Sequence, residues 1–126
     1  MPSSTYISDA LLDATINGGT FPTVATSYLA LYSVAPGPGG GGTQLTGSNY
    51  SRINVAYTVT TGVASNTSAV SFPTATGNWV TAVAWGIFDA ATGGNLLYYG
   101  SLAPAQTVMN GNTMTFDAGN ISITVD

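Results

Sequence analysis

The sequence predicts an all-β protein: an antiparallel β-sandwich of jelly-roll or Ig-like type, preceded by one short α-helix. Three observations carry that expectation. Hydrophobic residues recur with a period of two through most of the chain, from YLALYSV to ISITV, as expected of strands with one face buried. Gly, Asn and Pro clusters separate these runs at short, regular spacing, which is the punctuation of antiparallel sheets. Helical periodicity is confined to the first residues. At 126 residues the chain fits one domain, 1–126, with no internal repeat.

Taken in order, SSTYISDALLDATINGG contains the helix, over about 4–17. Ser4 or Thr5 can cap it, and Ile7, Ala10, Leu11 and Ala14 form its inward stripe. Asp9 and Asp13, four apart, lie on the opposite, solvated side in or near the first turns, where the helix dipole favours them. Asn17-Gly18-Gly19 supplies a left-handed stop. From Phe21 onward the period is two. Residues 28–34 (YLALYSV) read as a strand buried on both faces. APGPGGGG (35–42) cannot pack side chains, and its prolines bar a regular ladder, so it is a surface loop or contact arm.

RINVAYTVT (52–60) alternates, with Ile53, Val55, Tyr57 and Val59 inward and Arg52, Asn54, Thr58 and Thr60 outward. Val70 and Phe72 mark a short strand ended by Pro73. WVTAVAWGIF (79–88) is a strand onto which NLLYYGSL (95–102) folds back. Between them, Asp89 and Gly93-Gly94 read as a hairpin loop, the carboxylate capping turn amides and the glycines taking positive φ. A phosphate loop needs a helix after the glycines, and a calcium loop needs more carboxylates than this one offers. QTVM and TMTFD, around Asn110-Gly111-Asn112, are expected to form a second hairpin. The final strand carries Ile121, Ile123 and Val125 on one face.

Composition limits the chemistry. Only 5 % of residues are charged, and there is no Lys, Glu, His or Cys. That inventory rules out His- or Cys-ligated zinc, His-activated nucleophiles, Schiff bases and a Walker lysine. One cation (Arg52) and a net charge of −4 do not suit a phosphate backbone, so nucleic acid is not an expected partner. No run approaches a membrane span, and none resembles a secretory leader. The sequons at Asn49, Asn66 and Asn120 are accordingly expected to be unused. No cofactor or metal motif is present. A glycosidase built on Asp89 and Asp117 would need the two acids brought across a cleft, and nothing in the spacing does so.

The predicted outward strand positions carry Thr, Ser, Asn, Ala and Gly, and no Lys guards a sheet edge. Such a surface is expected to meet another protein, most simply copies of itself; a well-hydrated neutral surface is the alternative. Arg52 either pairs with an Asp across a subunit contact or serves within its own chain.

The segments FPTATGNW, AVAWGIFDAATGGNLLYYGSL and TMTFDAGNISITVD, with YLALYSVAP and NYSRINVAYT upstream, resemble the small structural proteins of tailed bacteriophages called tail fibre proteins. The resemblance runs over nearly the whole chain, and WGIFDAATGGNLLYYG is its most specific part. It implies a non-enzymatic virion component on the particle surface acting by self-assembly, either tail fibre-type or a capsid decoration or head-fibre subunit. Its partners would be copies of itself and other virion proteins of capsid or tail. Trp85, Tyr57 and Arg52 are the candidate assembly or core positions. The alternative is a receptor- or carbohydrate-binding module, with Trp79, Trp85, Tyr98 and Tyr99 available to stack on sugars.

Overall fold

A computed structural model describes residues 3–19 and 26–124; Phe21, Val125 and Asp126 lie outside them. Helix α1 (Thr5–Ile16) is followed by β1 (Tyr28–Val34), β2 (Thr43–Gln44), β3 (Ile53–Asn54), β4 (Tyr57–Thr60), β5 (Val63–Asn66), β6 (Val70–Ser71), β7 (Ala82–Phe88), β8 (Leu96–Gln106), β9 (Thr115–Phe116) and β10 (Ser122–Thr124). Every pairing is antiparallel. The main sheet runs β2-β1-β7-β8, with β3 also on β1; β10-β5-β4 and β6-β9 form two smaller sheets. The all-β, sandwich-like architecture predicted above is what the chain adopts.

The helix begins as expected. The Ser4 side chain accepts the Ile7 N–H at 3.2 Å, and Gly18 takes φ +72 beyond the Asn17 cap. Only Ile7 is buried on it; Ala10, Leu11 and Ala14 are half-buried, while Leu12 and Ile16 are 56 % and 73 % exposed. Asp9 stands beyond the first turn, which holds no acid. Ser4 N–H donates to Leu97 O and Thr5 N–H to Pro38 O, so the Gly/Pro loop and the start of α1 are tied together beside β8.

Strand β1 has the predicted bounds, and Leu29, Ala30, Leu31 and Tyr32 are all buried. The edge away from β7 is closed piecewise. Asn54 and Ile53 pair with Tyr28 and Leu29, and Gln44 and Thr43 with Tyr32 and Val34. In the gap, Leu45 N–H donates to Leu31 O, while Leu31 N–H donates to the Tyr50 hydroxyl at 3.0 Å. A side chain thus completes a ladder that no strand reaches. The β8 edge is blunted differently, by a bridge from Ser3 to Tyr98 and by a register shift before Gln106 that includes Pro104. These devices substitute for the missing lysines.

The core lies between the main sheet and the two small ones. Leu29, Leu31, Trp85 and Ile87 from β1 and β7 meet Phe72, Met114, Phe116, Ile121 and Ile123, with Ile7 from α1. On the opposite face of the main sheet, Ala30, Tyr32, Ala84, Phe88 and Leu96 form a second, smaller cluster.

Four local readings are corrected. Residues 52–60 are two short strands, β3 and β4, broken at Val55-Ala56, because buried Val55 turns into the core and its N–H bonds Ser27 O. The strand within 79–88 starts only at Ala82. Residues 105–117 form no hairpin: Val108 O accepts from Trp79 N–H, and Thr115–Phe116 pair with Val70–Ser71. Val59, read as inward, is 72 % exposed, like its neighbours Thr58 and Thr60 on β4.

No sequence signal marks the β4-β5 hairpin. Its two-residue turn places Thr61 at φ +53 and Gly62 at φ +76, the geometry of a type I′ turn. A β-branched residue is strained there. Thr61→Asn is therefore expected to stabilise the protein by about 1 kcal/mol, read as a rise in urea midpoint at constant m-value; a fall would refute the strain.

Candidate functional site

Arg52 immediately precedes β3, so the pairing of Ile53 with Leu29 fixes where its side chain starts. The guanidinium reaches the β7-β8 loop. Nη1 donates to Ala90 O at 2.9 Å and Gly93 O at 2.8 Å, and Nη2 to Gln44 Oε1 at 3.0 Å. Its carbon sits 3.6 Å from the centroid of the Phe88 ring, a cation–π contact. Gln44 in turn donates to the Tyr50 hydroxyl at 2.8 Å. The sole side-chain cation therefore works within its own chain, locking β2, the Tyr50 bridge and the hairpin loop. Arg52, read as outward, is half-buried. Burial lowers its pKa, opposed by nearby Tyr50, Tyr32 and Asp89.

The loop itself has the predicted chemistry. Asp89 Oδ1 accepts the Asn95 backbone N–H at 2.7 Å and Oδ2 the Asn95 side-chain amide at 3.0 Å. Gly93 and Gly94 have φ +62 and +73. A Cβ on Gly94 would also collide with Asp89 Oδ1 and lie 2.8 Å from Ala90 Cβ. Partial burial pushes the Asp89 pKa up, but the bonds from Asn95 and the Arg52 charge outweigh it and hold the group below its ordinary 3.8. A depressed folded pKa means stability present above the unfolded value and lost as pH falls through the folded one. The Tm of wild type should thus exceed that of Asp89→Asn at pH 6, with the gap closing below about pH 4. A gap constant down to pH 2 would show that the charge contributes nothing.

Trp85 is a core residue, buried in the main cluster and paired across the strands with Gly100. Tyr57 is half-buried against the same cluster. Its hydroxyl is buried without a hydrogen-bond partner among the described residues, and that burial raises its pKa. An unpartnered buried hydroxyl costs stability. Tyr57→Phe is expected to be neutral or to gain about 1 kcal/mol, and a loss above that in chemical unfolding would mean that the hydroxyl has a partner.

Of the four aromatics considered for sugar stacking, Trp79 and Trp85 are buried, and Trp79 Nε1 donates to Ser48 O at 2.9 Å. Tyr98 and Tyr99 are half-buried. Asp89 is held by Asn95, and Asp117 lies exposed just after β9. Among the described residues no three His, Cys, Asp or Glu cluster, and no helix is long and apolar enough to cross a membrane.

Two surface features remain. Apolar side chains stand in solvent on α1 (Leu12, Ile16), on the β4 tip (Val59) and at Val80 and Met109. An open groove of about 870 Å³ runs between the end of β8 and residues 112–121. Gln106, Asn112, Asn120 and several Thr and Ser line it around Trp85 and Phe116. Sequence reasoning missed Tyr50, Gln44 and Asn66; the hydroxyl-for-strand substitution at Tyr50 has no local signature.

A family model described as podophage GP4 fiber I protein gp80 matches residues 2–124. No curated protein matches the chain. With nearly its whole length covered, the chain belongs to the podophage GP4 fiber I protein gp80 family, a family of phage fibre structural proteins, and is a component of the virion.

Proposed function

We propose that this protein is a non-enzymatic, multi-copy fibre subunit on the particle surface that acts by self-association and by docking on capsid or tail. The observation that carries this reading is its solvent-facing surface. Charges are few, and the larger exposed side chains include Leu12, Ile16, Val59, Val80 and Met109, which an isolated chain leaves in water. Burial between copies returns about 25 cal/mol per Å² of apolar area, and a neutral surface sets up little repulsion against close approach.

The deciding experiment is the copy number of the chain per purified particle, relative to the major capsid protein, by quantitative mass spectrometry. Near-equal stoichiometry identifies a head decoration, and a small fixed number a tail fibre. Absence from particles overturns the reading.

The 870 Å³ groove favours a second reading, binding of a neutral glycan. Its amides and hydroxyls offer paired donors and acceptors to sugar hydroxyls. Glycan-array binding lost in Asn112→Ala and Gln106→Ala would support it; no binding by wild type would remove it.

A further inference from the structure

Arg52 uses three of its five N–H groups, both on Nη1 and one on Nη2, and its acceptors are two carbonyls and an amide oxygen. The Nε–H and the second Nη2–H have no partner among the described residues. Beside the guanidinium a cleft of about 340 Å³ opens to solvent between residues 44–52 and the hairpin loop at Ala91–Gly93. Thr46, Ser51 and Thr92 bring hydroxyls to it, and no carboxylate lines it. The nearest acid in the loop, Asp89, already has both oxygens engaged by Asn95. The cleft is therefore lined by a cation with spare donors, held in place by its own loop, while Asp89, the acid whose charge reaches Arg52, stands outside the lining.

The chain supplies anions in excess. It carries one cation against five Asp, a net charge of −4. Among the described residues Asp9, Asp13 and Asp117 are exposed. When identical copies associate, these charges accumulate, and the only side-chain cation able to offset them at a contact is Arg52. A guanidinium with two free N–H groups matches a carboxylate in both charge and shape. We infer that the Arg52 cleft binds an exposed carboxylate of a second copy of this chain, that of Asp9, Asp13 or Asp117, making Arg52 at once an internal lock and an intersubunit anchor. This rests on the self-association reading above. A contact between two different patches, cleft on one copy and Asp on the next, is heterologous, so it builds a ring or an extended array.

The test is light scattering after size-exclusion chromatography of wild type, Arg52→Gln and the triple variant Asp9→Asn/Asp13→Asn/Asp117→Asn, across protein concentration, at 50 mM and 500 mM NaCl. Wild type is expected to associate, with Kd rising at high salt. Both variants should raise Kd at least tenfold at low salt and lose the salt dependence. Combining them should weaken association no further than either alone, because they remove two halves of one contact. Arg52→Gln also releases the hairpin loop, so its fold is checked by circular dichroism. Should it unfold, the triple variant, which leaves the lock intact, decides alone. A triple variant that associates like wild type overturns the intersubunit anchor while leaving self-association standing. A wild type that stays monomeric at all concentrations overturns both.

Discussion

Trp85→Ala is expected to cost about 3–5 kcal/mol of folding stability, the range for truncating a large buried aromatic, and to lower Tm by roughly 10–20 °C. Trp85 lies on the core face of β7, 9 % exposed, and its ring covers Gly100 on the neighbouring strand. A Cβ on Gly100 would approach Trp85 Cζ2 and Cε2 to 2.5 and 2.6 Å. The indole thus fills both its own place and that of the side chain Gly100 lacks. Removing it leaves a void spanning two strands that form the centre and one side of the main sheet. Any loss of particle incorporation should follow the loss of folding. Thermal unfolding of the variant checks this: a Tm within 3 °C of wild type would move Trp85 from the core to a contact surface. Gly100→Ala is the companion experiment, since even one methyl must displace the ring, and it should destabilise the same sheet without altering surface chemistry.

The same pair of strands shows why part of the fold was legible in the sequence. Most of Tyr28–Val34 and Ala82–Phe88 is buried on both faces, Val34 and Val83 excepted, and their long apolar runs are followed by Pro or Gly loops, so period and punctuation agree. The Asp89 loop was readable because Asp and paired glycines each have one common use between two strands. Elsewhere the local signal pointed the wrong way. Thr60-Thr61-Gly62-Val63 lacks the Asn-Gly or Asp-Gly expected of a type I′ turn, so nothing local announces the β4-β5 hairpin. The run around Asn110-Gly111-Asn112 has hairpin chemistry, but long-range partners intervene. Gly111 N–H donates to Ala75 O, and Phe72 N–H to Met114 O, which pulls residues 111–116 onto residues 70–75 in place of 105–109. Arg52 reads as a surface residue in any alternation scheme. Its environment comes from Ala90, Gly93 and Gln44, two of them about forty residues away, and no local pattern encodes that.

Asn66 supplies the other large expected effect. The sequence offers it only as part of an NTS sequon, yet in the fold it is 2 % exposed and every polar atom of its side chain is used. Nδ2 donates to Ser68 O at 3.0 Å and to Asp117 O at 2.9 Å, while Oδ1 accepts the Ile121 N–H at 2.9 Å. Its backbone bonds the same loop, through Asn66 N–H to Ile121 O and Gly119 N–H to Asn66 O. One side chain therefore fastens the 117–121 turn to the end of β5 and sets the approach of β10, which pairs with Ser65, Ala64 and Val63. Asn66→Ala should cost about 2–4 kcal/mol, because three hydrogen bonds go and the buried Ile121 N–H loses its partner. Asn66→Asp should be at least as damaging at neutral pH. It keeps the acceptor for Ile121 but aims a buried carboxylate at two carbonyl oxygens, and it should recover in part as the pH is lowered and the acid becomes a donor. Urea unfolding of both variants at pH 7 and pH 4 separates these terms. An Asn66→Asp protein no less stable at pH 7 than at pH 4, relative to wild type at each pH, would show that the amide donors do not hold the turn. The enclosure of Asn66 also means that a glycan there is incompatible with the folded chain.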